Sequence, residues 1–285
     1  MKIALITDTH LAGFTGAFNA NCEAAITWID GLGADLAIHL GDITADGVND
    51  ADQFAAARQI LARMRTPLRL IPGNHDIGDS PIPGHRSAEP PVQADRLALC
   101  REVFGPDYWA HEGSGWMLVG LNAQLFGMGG GEEQAQFAWL EKTLAGVSTS
   151  IGVMLHKPLF RFGPDDTEIH HRYVQLVSRK RLLKLLEGRD LRFVASGHTH
   201  QLRRLHVGGV EHVWAPSSAY FFPDVMQERI GEKMVGVMVL TLDASGHSFA
   251  FHAPPGVVPY DLTDFADLFP KLRRLLAKAS AAGSD

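Results

Sequence analysis

Five apolar runs, each ending directly in a short polar motif, constrain this chain more than any other feature of its sequence. The runs at residues 2–7, 36–40, 68–71, 151–155 and 191–195 read as buried strands. They end at Asp8-Thr9-His10, Gly41-Asp42, Gly73-Asn74-His75-Asp76, His156 and Gly197-His198-Thr199-His200. Helical spacing fills residues 21–29 and 51–64 between the first three runs. Strands alternating with helices of this length pair in parallel through crossover connections. Ligands of open α/β sheets collect outside the carboxyl ends of the strands, so the first three motifs are expected at one edge.

The remaining chain repeats the pattern. Helices are expected over residues 95–104, 132–144 and 173–187, and strands over 108–111 and 116–121. Prolines and glycines between residues 73 and 94 rule out a regular element there and predict a long loop over the site; residues 157–167 form a second loop. From residue 191 to 251 the pattern is strand-rich and hairpin-like, with turns at Gly208-Gly209 and Ser245-Gly246. The expected fold is α/β: a four-layer αββα sandwich of two mixed sheets face to face with helices outside. Residues 1–260 form the expected catalytic domain. Residues 261–285 form a helix, kinked or restarted at Pro270, that packs on this domain or serves as an oligomer contact.

With 285 residues, 46% of them apolar, the chain can bury a sizeable core, and its formal charge of -6 supplies no basic field for polymeric nucleic acid or an anionic membrane. Cys22 and Cys100 make no metal or disulfide spacing and read as buried thiols of a reducing compartment. The opening residues fit no secretory signal and no apolar run is long enough to span a bilayer, so a cytoplasmic location is expected.

Together the motifs supply Asp8, His10, Asp42, Asn74, His156, His198 and His200: carboxylate, imidazole and amide donors without a thiolate. Such O/N sets suit divalent iron, manganese, zinc or cobalt in an open site rather than a structural zinc. Asp8 and His10, like His198 and His200, are two residues apart. In an extended segment such side chains point the same way, so each motif is expected to present two ligands to one place.

In this order the motifs resemble the calcineurin-like metallophosphoesterase superfamily, whose signature is D-x-H, G-D, G-N-H-[DE], H and G-H-x-H. The resemblance covers residues 8 to 200 and implies two divalent metal ions. Asp8, His10 and His200 would hold one, Asn74, His156 and His198 the other, and Asp42 would bridge them. It further implies phosphoester hydrolysis by in-line attack of a metal-bound hydroxide, with His75 beside the phosphoryl oxygens as hydrogen-bond donor or general acid and Asp42 and Asn74 essential. Four positive charges, less two carboxylates and one hydroxide, leave about +1, which matches one phosphodiester anion.

The implied substrate is a small phosphodiester such as a cyclic nucleotide or glycerophosphodiester, because the layout is similar to the bacterial phosphodiesterases of those two groups. The stretches at residues 73–79 and 104–108 also resemble a branch with phosphomonoesterase members, and a phosphonate monoester is a third chemistry open to such a site. A scaffold without catalysis, or a two-iron redox protein, are the rivals outside hydrolysis; the filled ligand set and Asn74 oppose them. Lys157 stands where several relatives carry a further histidine, and either binds an anion or borders the pocket. His85, His170 and His171 lie in the bordering loops, as substrate contacts or as surface histidines. Asp46 reads as a turn aspartate rather than an orienter of His75, and His39 as a core residue. The partners expected are a small phosphoester and, where the C-terminal helix serves as an oligomer contact, a second copy of the chain.

Overall fold

The computed structural model describes residues 1–82, 84, 87, 89–268 and 270–282, with no side-chain description for 270, 271 and 279–282. His85 lies outside the described residues. In chain order the elements are β1 (Lys2–Ile6), α1 (Gly16–Leu32), β2 (Leu36–His39), α2 (Asp52–Leu61), β3 (Leu68–Leu70), the single turn α3 (Asn74–Ile77), α4 (Ala94–Phe104), β4 (Trp109–Gly113) and β5 (Trp116–Gly120). There follow α5 (Gly131–Leu144), β6 (Ser150–Leu155), α6 (Leu176–Leu186), β7 (Leu191–Ser196), β8 (Arg203–Val207), β9 (Val210–Trp214), β10 (Tyr220–Phe221), β11 (Val237–Asp243), β12 (Gly246–His252), β13 (Tyr260–Asp261) and α7 (Pro270–Ala282).

One sheet has the order β12-β11-β1-β2-β3, the other β4-β5-β6-β7-β9-β8. Strands β1 to β3 are mutually parallel, and β11 and β12 antiparallel. In the second sheet β5, β6, β7 and β9 are parallel, flanked by antiparallel β4 and β8. Both sheets are therefore mixed, as expected.

The period of two along β1 shows how the layers form. Ile3 and Leu5 join Met154, Phe193 and Val213 of the other sheet in the central core, whereas Ala4 and Ile6 pack against Cys22, Ile26 and Ile29 of α1 and Ala57 and Ile60 of α2. On the far side, Val119, Ile151, Val153 and Val194 meet Phe137 and Leu140 of α5 and Leu182 and Leu186 of α6. Each such aliphatic side chain contributes about 1.5–3 kcal/mol when buried, and only a helix, two sheets and a helix in succession cover both faces of both sheets.

The segment after β7 carries both expected hairpins, β8–β9 turning at Gly208-Gly209 and β11–β12 turning beside Ser245-Gly246; in addition β9 pairs parallel to β7, with Phe193 opposite Glu211, and leaves β8 at the edge. The reason lies in their side chains: β9 is buried along most of its length, whereas the Arg203, Arg204 and His206 of β8 suit an edge. The chain then crosses over, and β11 pairs with β1.

A 3-10 segment over Leu262–Leu268 precedes α7, so Pro270 restarts the helix rather than bending it. Leu272 is buried with Phe18, Tyr220 and Leu262. Among the described residues no helix is long and apolar enough to cross a membrane.

Candidate metal centre

The five motifs follow the carboxyl ends of β1, β2, β3, β6 and β7, parallel strands drawn from both sheets. Hydrogen bonds join the two edges: His156 Nδ1–H donates to Leu40 O at 2.9 Å, and the His198 amide donates to Asp8 Oδ2 at 3.0 Å. The motif residues are not in extended backbone. Asp8, His10, Asp42, His198 and His200 all have φ between 46° and 67°, the left-handed region that side-chain-bearing residues seldom occupy. The pairs two residues apart do converge, but by tight turning past the strand ends and not by strand alternation. Strain of this kind costs about 1–3 kcal/mol per residue and collects where function holds it.

Second partners fix the rings. Because His156 Nδ1 donates to Leu40 O, its Nε2 carries the lone pair, and that atom lies 3.3 Å from Asp42 Oδ2, 3.2 Å from Asn74 Oδ1 and 3.1 Å from His198 Nδ1. His200 Nδ1–H donates to Tyr220 O at 2.7 Å, leaving Nε2 at 3.4 Å from Asp8 Oδ1 and 3.2 Å from His10 Nε2. The ring nitrogens and carboxylate oxygens converge in two neighbouring groups, Asp8/His10/His200 and Asp42/His156/His198, and the ligand atoms of each lie within 4.8 Å of one another. Asp42 also groups with His10 and His75, so it stands between the two. This O/N donor set fits divalent ions.

The charges of the chain itself point the same way. Burial opposes ionisation of Asp42, but His156 and His75 outweigh it and hold the carboxyl well below its ordinary value. Burial likewise disfavours charge on His156, yet Asp42 and Asp8 raise it to about 9. His10 and His198 are pushed well below 6.5, by burial first and then by neighbouring imidazoles. A divalent ion held by these groups would compete with a proton for His156 Nε2.

Small residues and one carboxylate let the motifs close on each other. A methyl at Gly73 would overlap Asp42 Oδ1, and one at Gly197 would overlap Thr7 Oγ1 and crowd Asp8 Oδ2. Asp76, fully buried, accepts from the amides of Gly73 at 2.8 Å, Ile43 at 3.2 Å and Thr44 at 2.8 Å, and from Thr44 Oγ1 at 2.7 Å. It ties the second motif to the third. His75 donates from Nδ1 to Ala45 O at 2.8 Å, with Nε2 4.0 Å from Asp42 Oδ2. Asp46 accepts from Asn49 instead, in keeping with a turn aspartate, and His39 is a core residue that bonds Thr9.

Over the ligands lies a cavity of about 190 Å³ lined by Asp42, Asn74, His75, His198 and His200 and walled by Asp79, Ser87, Glu89, His171, Arg172, Phe222, Met226 and Gln227. His171 therefore borders the site, while His170 stacks behind it at 4.3 Å and does not line the cavity. Lys157 is buried and ion-paired with Asp79, so it holds the 78–91 loop instead of lining the cavity. Sequence reading missed Glu89 and Arg172. Glu89 lay within a loop already expected over the site, whereas Arg172, adjacent to His171, carried no distinguishing signal.

A four-layer α/β sandwich with paired O/N ligand groups at one shared sheet edge defines a metal-dependent phosphoric ester hydrolase. The chain belongs to the calcineurin-like phosphoesterase family, whose sequence profile matches residues 1–202. It is 25% identical over 237 residues to a probable cyclic nucleotide phosphodiesterase of Psychrobacter arcticus, covering 78% of this chain and 81% of that one. It is 30% identical over 202 residues to the glycerophosphodiester phosphodiesterase GpdQ of Enterobacter lignolyticus, covering 63% and 66%. Purple acid phosphatase from yellow lupin seeds shares the fold, with a TM-score of 0.65 at 16% identity over 92% of this chain and 52% of that one.

Proposed function

We propose that the chain is a binuclear metal-dependent phosphodiesterase acting on small diesters, of the kind represented by cyclic nucleotides and glycerophosphodiesters. The observation that carries the diester reading is a cleft of two lobes. The cavity of about 190 Å³ and a second of about 470 Å³, lined by His10, Phe14, Asp46, Asn49, Gln53 and Tyr220, lie on either side of His75 and Glu89, which line both. A phosphoryl group seated at His75 has one lobe for each ester arm; a monoester fills only one.

In this reading Asp8, His10 and His200 hold one ion, Asn74, His156 and His198 hold the other, and Asp42 lies between them. The two cations supply Lewis acidity and an activated water for in-line displacement. The chain supplies position and proton handling. Leu40 O and Tyr220 O fix the ligand rings, and the bond to Ala45 O directs His75 Nε2 into the cleft, where it donates to a phosphoryl or leaving-group oxygen. Manganese, cobalt, zinc and iron are all accommodated by these donors. A phosphomonoesterase is the second reading, favoured by the guanidinium of Arg172 in the smaller lobe, since a monoester brings a second charge.

The test is reconstitution of metal-stripped protein with each ion, followed by rates on bis(p-nitrophenyl) phosphate, p-nitrophenyl phosphate and a p-nitrophenyl phosphonate. The diester should have the highest kcat/KM, by about tenfold or more. A higher value on the monoester reverses the order of the two readings. No turnover of any ester by protein holding two ions per chain defeats the hydrolase reading.

A further inference from the structure

Arg172 is a cation left over in the wall of the catalytic cavity. It sits half-buried between His171 and Tyr173, and it lines the same space as Asn74, His198 and His200. The acidic groups around it are engaged elsewhere. Glu228 pairs with Arg161 at 2.5 Å and Glu168 pairs with Arg161 at 3.5 Å. Within the cavity, Asp79 is taken by Lys157, and Glu89 faces His75 Nδ1 at 3.9 Å. Among the described residues no carboxylate forms an ion pair with Arg172. Burial depresses its basicity more than the nearby Tyr173, Glu228 and Glu168 restore it, so the guanidinium is a charge kept partly out of water and only partly offset from a distance. The neighbouring His171 is held neutral, pushed down to about 4 by burial and then by the adjacent charges, so it does not share the load.

A half-buried guanidinium with no carboxylate in contact among the described residues, lining the same cavity as the candidate metal ligands, is placed to form an ion pair with substrate. The reacting phosphoryl of a simple diester carries one charge, already matched by the net charge of about +1 at two ions, two carboxylates and a hydroxide. Arg172 is surplus to that balance. We propose that Arg172 binds a second negative charge on the substrate, so that an anionic group beyond the single charge of the reacting phosphoryl strengthens binding of any ester that carries one. This rests on the phosphoester reading above. The extra charge has two sources with the same chemistry, the second ionisation of a monoester or a carboxylate or phosphate on one arm of a diester. The apolar wall of Phe222 and Met226 and the amide of Gln227 are there to receive the rest of such an arm.

The experiment compares the metal-loaded parent with Arg172→Gln and Arg172→Lys. Arg172 has no side-chain hydrogen bond among the described residues, so its replacement removes no structural partner; circular dichroism and bound metal per chain check this. Three aryl esters are used: methyl p-nitrophenyl phosphate with one charge, p-nitrophenyl phosphate, and carboxymethyl p-nitrophenyl phosphate. Arg172→Gln should raise KM for a doubly charged ester by about 30-fold with kcat within about threefold, leave the singly charged ester within about threefold, and be partly rescued by lysine. Which of the two doubly charged esters loses more identifies the source of the charge.

Binding supplies a readout that does not depend on turnover. Calorimetry should show orthophosphate weakened by about 30-fold in Arg172→Gln and dimethyl phosphate by less than about threefold. Equal losses for singly and doubly charged ligands, or none for either, overturn the proposal. If the parent binds orthophosphate through Arg172 but hydrolyses no ester, the hydrolase reading fails and the assignment of Arg172 stands.

Discussion

At the scale of single residues, the metal centre depends on side chains that leave each other unsatisfied in a controlled way. Asn74 shows this best: its Oδ1 lies 3.2 Å from His156 Nε2, a neutral acceptor where another carboxylate would cancel more of the cationic charge. Replacing Asn74 or Asp42 by alanine should lower kcat by about 10²-fold or more and reduce bound metal below two per chain, measured by steady-state rates and elemental analysis. Full activity in either variant sinks the ligand assignment. The types and order of these residues were legible in the sequence because each follows an apolar run. Their left-handed backbone was not, since nothing in Asp8, His10 or His198 as residue types demands positive φ. Arg172 was hidden for a related reason: an arginine gains meaning only when the carboxylates around it are seen to be paired with others.

Among the elements, the strands and outer helices were readable from periodicity, and their limits differ from expectation by a few residues, as at α1, which extends from the expected 21–29 to Gly16–Leu32 under a Thr15 cap. The loop over residues 78–91 is a different matter. It reads from sequence as a breaker-rich stretch, yet one pair anchors it: Lys157 and Asp79, with side chains only 1% and 2% exposed, while Asp79 also accepts from Ser87 Oγ and its amide bonds Pro90 O at 2.7 Å. Lys157 took the place of a histidine in the family pattern and acquired a structural task instead of an anion. Removing one partner of a buried pair leaves the other charge uncompensated. Lys157→Met should therefore destabilise the fold by about 3–5 kcal/mol in denaturant unfolding and expose the loop to proteolysis. The double variant Lys157→Met/Asp79→Leu should recover a substantial part of that loss. A double variant as unstable as the single one would show that the pair's charges are not what anchors the loop.

For the whole molecule, the site straddles the two sheets, so any loss of their face-to-face packing separates Asp8 from His198 and Leu40 from His156. On the outer, helix-covered side of the second sheet the fold buries an imidazole that has no role at the candidate metal centre, and it gives the fold a pH dependence of definite sign. His212, on β9 and only 6% exposed, packs on Phe160 at 4.5 Å and is pushed down to about 4, by burial first and then by His206. Its folded value is depressed below the unfolded 6.5, so the unfolded chain binds the proton more readily between the two. The stability owed to its neutral form is complete above about pH 6.5 and is lost as pH falls toward about 4, to a limit of about 3 kcal/mol. His212→Leu removes this one proton while leaving every group at the metal centre common to both chains, so their contributions cancel in the comparison. Relative to the parent, the variant should gain about 1–3 kcal/mol in unfolding free energy between about pH 7 and about pH 4.5. Parallel stability curves for the two chains over that range would refute a neutral, buried His212.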